Sequence, residues 1–112
     1  MSERVTLYGL TNCDRCRKAR KALEAEGRVV EMRDIRAAPL SAAERKEFLA
    51  AFGDRLVNRQ STTWRGLSEA ERTAPADSLI ASHPALMKRP VLRVGHALHL
   101  GWDAQVRAVV LG

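Results

Sequence analysis

The sequence predicts an α/β fold: a β-α-β unit, then a β-β-α unit, with a helical insertion between the halves. Three observations carry this. The β-branched and aromatic run Val5-Thr6-Leu7-Tyr8 stops at Gly9 and feeds a segment of helical period, so a strand runs into a helix. The pattern then repeats, with a second strand over 28–35 and a helix over 41–53. Near the other end, Val91-Leu92-Arg93-Val94 and Ala97-Leu98-His99-Leu100 flank Gly95-His96, which reads as a hairpin.

In the first helix, Cys16, Ala19, Ala22 and Leu23 share a face and charged residues fill the rest. Asn12 is an N-cap by residue type and Gly27 a terminator. Val30 and Met32 lie on one face of the second strand, and Pro39 ends it. Ser41-Ala42-Ala43-Glu44 is a capping box, and Phe48, Leu49 and Phe52 form the stripe of the helix it opens. Two strands joined through a helix are expected to be parallel. Residues 54–84 carry no strand signal. A helical turn is expected over 56–60, a second capping box at Ser68-Glu69-Ala70-Glu71, and a helix over 76–83 stopped at Pro84. This insertion is too short to bury its own interior, so residues 1–112 read as one domain with the insertion at about 54–84. Asp103 caps a last helix carrying Val106, Val109 and Val110. A parallel β-α-β joined to an antiparallel β-β-α, with cysteines after the first strand, is a thioredoxin-like layout.

The 112 residues suit a single domain, with 46% hydrophobic and 29% charged content. There is no run of about 18 apolar residues and no signal-peptide core near the start, so a cytoplasmic protein away from membranes is expected. The net charge of +6 invites a nucleic-acid reading. Aromatics are only 4% and the arginines are spread along the chain, so nucleic acid is not the expected partner. A solvated basic surface remains, one that attracts anionic substrates and acidic partners. No Gly-rich phosphate loop is present, so no nicotinamide or flavin site is expected.

Cys13 and Cys16 are the only cysteines and lie three apart. The spacing alone is open to zinc, to a structural bond or to redox chemistry. Zinc needs four ligands, and there is no second pair; His96 and His99 point to opposite faces of a strand, and His83 belongs to another element. A reducing compartment weakens the structural bond. A thiol at a strand-to-helix turn meets the free N–H groups and dipole of the helix start, which stabilise a thiolate. Cys13, at the helix mouth, is expected to attack, and Cys16, one turn inside, to resolve. Their β-carbons are expected about 5–6 Å apart, near the separation a disulfide needs. Arg15, Arg17 and Lys18 add positive potential.

Arg89-Pro90 precedes the hairpin. A proline there is a strand-start residue that cannot donate to a ladder, or a cis peptide facing the cysteine loop. Arg89 beside it can hold an oxyanion or a glutathione carboxylate. Trp64 and Trp102 read as packing residues, and Arg59 and Arg65, taken alone, as surface charges.

Together, Leu7-Tyr8 before Asn12-Cys13, Cys16-Arg17-Lys18-Ala19-Arg20, Asn58-Arg59, Ser61-Thr62-Thr63-Trp64-Arg65, His83-Pro84 and Lys88-Arg89-Pro90-Val91 resemble the arsenate-reductase-like family, which includes the ArsC, Spx and YffB branches. The resemblance covers nearly the whole chain and implies a thioredoxin-like fold with a helical insertion. ArsC-type enzymes are similar at Cys13 and Arg89, with another anion-holding arginine near Asn58-Arg59 and one near Gly101, where this chain has none. Spx-type regulators carry a similar C-x-x-C switch and bind RNA polymerase. The 61–65 stretch looks most like the YffB branch. The resemblance thus implies a glutathione-dependent thiol-disulfide oxidoreductase, or else a Spx-like regulator or an arsenate reductase. In the first reading Cys13 and Cys16 are catalytic, and Asn12, Arg59, Arg89 and Pro90 bind the substrate or its anion. No bound cofactor or metal is expected; glutathione is the co-substrate, glutathione or protein thiols are the partners, and the chain is a monomer.

Overall fold

The computed structural model describes residues 4–112. In chain order the elements are β1 (Arg4–Gly9), α1 (Asp14–Ala25), β2 (Val29–Asp34), α2 (Ala42–Phe52), α3 (Thr62–Arg65), α4 (Glu69–Arg72), α5 (Ala76–Ser82), β3 (Val91–Val94), β4 (Ala97–Leu100) and α6 (Ala104–Leu111). Single 3-10 turns lie at Gly53–Leu56 and Pro84–Leu86. The chain divides into two compact units, one made of residues up to 34 with 89–112 and one of 35–88. The helix over 42–52 therefore groups with the residues of the insertion.

The first unit is a four-stranded sheet in the order β2-β1-β3-β4 with α1 and α6. β1 and β2 are parallel, with Leu7 opposite Met32, and β3 and β4 add antiparallel, with Leu7 opposite Leu92. This is the thioredoxin-like arrangement. Side chains alternate across a strand, so Val5, Leu7 and Leu92 reach one face. There they pack with Cys16, Ala19 and Leu23 of α1 and Val110 of α6. Leu7, Leu23 and Leu92 have no exposed surface, and burying each contributes about 1.5–3 kcal/mol. α1 ends in a Schellman motif: Arg28 N–H donates to Leu23 O and Gly27 N–H to Glu24 O, both at 3.0 Å. Gly27 has φ +79°, which glycine adopts without strain. Asp103 caps α6 by accepting from Val106 N–H at 2.9 Å. Val106 and Val110, four apart, face the core, whereas Val109 is turned out and 62% exposed.

At the start of α1 the structure corrects the sequence reading. The N-cap is Cys13, not Asn12, which is an exposed turn residue. The turn closes with Cys13 N–H on Leu10 O at 3.2 Å, one residue later than the residue-type preference places it.

In the second unit the capping box of α2 is complete. Glu44 N–H donates to Ser41 Oγ at 3.1 Å, and Ser41 N–H to Glu44 Oε1 at 2.8 Å. Phe48 is fully buried, and Leu49 and Phe52 are half-buried beside it in sequence. Arg45 ties α2 to α5 through Asp77 at 2.8 Å and also donates to Leu40 O at 3.0 Å. The turn expected over 56–60 lies earlier, at Gly53–Leu56. Val57 instead forms an isolated bridge with Met87, flanked by Asn58 N–H on Leu86 O (2.8 Å) and Lys88 N–H on Leu56 O (2.7 Å). Ladder bonds to a distant segment thus override the local helical preference. Residues 62–65 form a helical turn capped by Ser61, and Ser68 and Glu71 complete the second capping box. Leu67, Leu79 and Leu86 form a small core against which Trp64 packs.

Candidate active site

The two cysteines occupy very different places on α1. Cys13 is the N-cap, with φ −90° and ψ 122°, and is half-buried. Cys16 lies three residues inside and is 1% exposed, within the core shared by β1, β3 and α6. Neither forms a disulfide. Cys16 sits on the helix face that carries Ala19 and Leu23, and that face is pressed against the sheet.

Gly9 makes this burial possible. A β-carbon at position 9 would collide with Cys16 Sγ, and would stand 3.2 Å from Leu7 Cδ2 and 3.4 Å from Cys16 Cβ. The last residue of β1 therefore lacks a side chain because the inner sulfur fills that space. In the sequence Gly9 reads only as the stop of a strand; a glycine at a strand end ahead of a C-x-x-C is the signal for this packing. Asp34, at the end of β2, steadies the loop before Cys13. Its carboxylate accepts from Thr11 N–H (3.4 Å) and Thr11 Oγ1 (3.3 Å).

The electrostatics separate the two thiols. Partial burial acts to raise the Cys13 pKa, but it is outweighed by the Cys16 N–H, the Cys16 thiol and the Arg89 guanidinium, which together hold Cys13 below the ordinary thiol value. The Cys13 sulfur makes no capping hydrogen bond of ordinary geometry. The N–H of Cys16 therefore acts as a nearby dipole that a thiolate draws in. Cys16 is pushed up to about 12, first by burial and then by the Cys13 sulfur beside it, against the opposing effects of Leu10 and Arg89.

Arg89 thus reaches the cysteines from the sheet side, and the Arg89–Pro90 peptide bond is cis. Pro90 is buried, and its carbonyl accepts from Gly101 N–H at 2.8 Å. Asn12 borders the same loop. Arg59 belongs to the other unit, where Nη1 donates to Asp54 O at 3.4 Å and the guanidinium lies 5.3 Å from the Trp64 ring centroid. Arg72 covers Trp64 as well, at 5.6 Å. Trp102 packs on the sheet core with Arg107 5.9 Å from its ring. Both tryptophans are packing residues, as expected. Among the described residues no three His, Cys, Asp or Glu side chains gather as metal ligands, and no helix is long and apolar enough to cross a membrane.

Known proteins resemble this chain over nearly its whole length. The global transcriptional regulator Spx of Listeria innocua is 32% identical over 105 residues, covering 88% of this chain and 80% of Spx. Among solved structures, the YFFB protein superposes with a TM-score of 0.87 at 28% identity, covering 96% of this chain and 99% of that one. An arsenate reductase (ArsC) related protein from Brucella melitensis is 37% identical, with a TM-score of 0.74 and coverage of 96% and 93%. The ArsC family model matches residues 8–109, from the end of the first strand through the cysteine loop and Arg89-Pro90 to the last helix. The chain belongs to the ArsC family.

Proposed function

We propose that this chain is a thiol-disulfide reductase that uses glutathione as co-substrate. The observation that carries the reading is the asymmetry of one sulfur pair: Cys13 half-buried, lowered and beside Arg89, Cys16 buried and raised to about 12. The Cys13 thiolate attacks one sulfur of a disulfide or glutathionylated substrate and expels the other as a thiolate. Arg89 positions an anionic group of that substrate, with Asn12 and Pro90 bordering the loop. Once Cys13 is in a mixed disulfide its charge is gone, and one cause of the raised Cys16 pKa goes with it. Cys16 then loses its proton to the departing thiolate and attacks Cys13 Sγ, releasing the second thiol and forming Cys13–Cys16. Two glutathione thiols reduce that bond and leave as glutathione disulfide, so electrons and protons balance.

Turnover of a glutathionylated peptide with glutathione tests this. Cys13→Ser should abolish turnover, and full activity in that variant would sink the mechanism. Cys16→Ser should trap a Cys13 mixed disulfide visible by mass spectrometry. Activity without a trapped species would mean that glutathione itself resolves Cys13. Arsenate in the same assay tests arsenate reduction. Against that activity, Gly101 has φ +86°, where an arginine would be strained, and the chain has no arginine there.

The 32% identity to Spx favours a second reading, a redox switch that binds RNA polymerase. A pull-down against RNA polymerase with reduced and oxidised protein separates it, and equal or absent binding in the two states ends it.

A further inference from the structure

A cavity of about 180 Å³ opens beside α1, on a side that neither Cys13 nor Arg89 lines. Its wall is Leu10, Thr11, Cys16, Arg17, Arg20 and Met32. Leu10 and Cys16 are 5% and 1% exposed, and Met32 is half-buried, so the floor is apolar. Arg17 and Arg20 are three apart on the helix and therefore share one side of it. Their side chains are 64% and 47% exposed, free to swing over the opening. A volume of this size admits several waters or a small organic ligand.

The helix side of the rim is positive, while the Asp34 carboxylate holds Thr11 on the opposite side. α1 carries Arg15, Arg17, Lys18, Arg20 and Lys21 against only Asp14 and Glu24. Asp14 is held by Lys18 at 3.1 Å and reaches Arg17 only at 4.0 Å; Arg20 and Glu24 are 3.6 Å apart. Exposed pairs of this kind are weak and easily exchanged. A ligand carboxylate can take either guanidinium, in the two-pronged geometry arginine favours, while Asp14 keeps Lys18.

We propose that this cavity binds a small monocarboxylate with a short apolar tail, the tail against Leu10, Cys16 and Met32 and the carboxylate on Arg17 and Arg20. The site stands independently of the reductase reading. One consequence rests on that reading: a Cys13–Cys16 disulfide would reorient the side chain of Cys16, a residue of the wall. Ligand occupancy and disulfide closure would then shift each other by the same factor.

The test is an NMR titration of the reduced full chain with 4-methylpentanoate, set against 4-methylpentanamide, which lacks the charge, and acetate, which lacks the tail. Saturable shifts are expected at Leu10, Thr11 and Met32, with a dissociation constant on the order of 1 mM for so small a ligand. The amide and acetate should bind about fivefold more weakly or worse. The surface double variant Arg17→Gln/Arg20→Gln, its fold checked by the unchanged remainder of its spectrum, should lose about tenfold. Three results would each overturn the site: no saturation by about 50 mM, shifts centred on Arg89 instead, or unchanged affinity in the double variant. Repeating the titration on Cys13→Ser separates the two readings, because binding should persist there even though turnover is gone.

Discussion

Replacing Gly9 by alanine probes the packing that places the inner sulfur. The new β-carbon overlaps Cys16 Sγ and presses on Leu7 Cδ2 at 3.2 Å. Carbon–sulfur contact at ordinary separation needs the sulfur to retreat by about 1 Å or more. Leu7, Ala19 and Leu23 around it are fully buried, so the sulfur retreats only by displacing packed neighbours or by entering the cavity that Cys16 lines. Overpacking of this kind costs about 1–3 kcal/mol. Gly9 does not have a positive φ, so alanine also regains about 0.4–1 kcal/mol by restricting the unfolded chain. The net expectation is a loss of about 1–2 kcal/mol, or about 4–9 °C in Tm for a chain of this size. Denaturant and thermal unfolding measure it. The decisive comparison is a double-mutant cycle with Cys16→Ala, which removes the sulfur and leaves its β-carbon at a tolerable 3.4 Å. Gly9→Ala/Cys16→Ala should be more stable than the sum of the single effects by about 1–2 kcal/mol. Simple additivity, or a Gly9→Ala protein that melts with wild type, would refute the argument that Gly9 exists to house this sulfur.

Cys13 should be alkylated by iodoacetamide with a midpoint below the ordinary thiol value, and Arg89→Ala should move that midpoint upward; an unmoved midpoint would remove Arg89 from the site. Because the Cys13 pKa is lowered on folding, its ionisation favours the fold above the unfolded thiol value, and that contribution is lost as pH falls through the folded value. Cys16 has the opposite sign: its thiol form favours the fold below the unfolded value, and stability should fall as pH rises from about 9 toward about 12, a slope that Cys16→Ala should flatten. Ser41→Ala removes the side-chain half of a complete capping box and should cost about 1 kcal/mol by urea unfolding. Arg45→Met should cost about 0.5–1.5 kcal/mol, since it breaks a half-exposed pair with Asp77 and one bond to Leu40 O.

The elements legible in the sequence were those specified by neighbours a few residues apart. Ser41 and Glu44, Ser68 and Glu71, and Asp103 with Val106 announce helix starts because the partners lie within one turn. The hairpin around Gly95-His96 and the strand-to-helix step at the cysteines were visible for the same reason. The turn expected over 56–60 failed because Val57 is held by Met87, a partner thirty residues away that no local propensity reports. Asn12 lost the cap because the turn from Leu10 closes on Cys13.

By itself the sequence determined that two thiols lie one helical turn apart at the mouth of a helix, since periodicity and spacing are local properties of the chain. The tertiary structure decided that they are unlike. Only the assembled sheet carries Arg89 to Cys13, empties the space above Gly9 for Cys16, and withdraws that inner thiol from water. Desolvation and charge proximity depend on residues up to about eighty positions apart, which no short window of sequence contains.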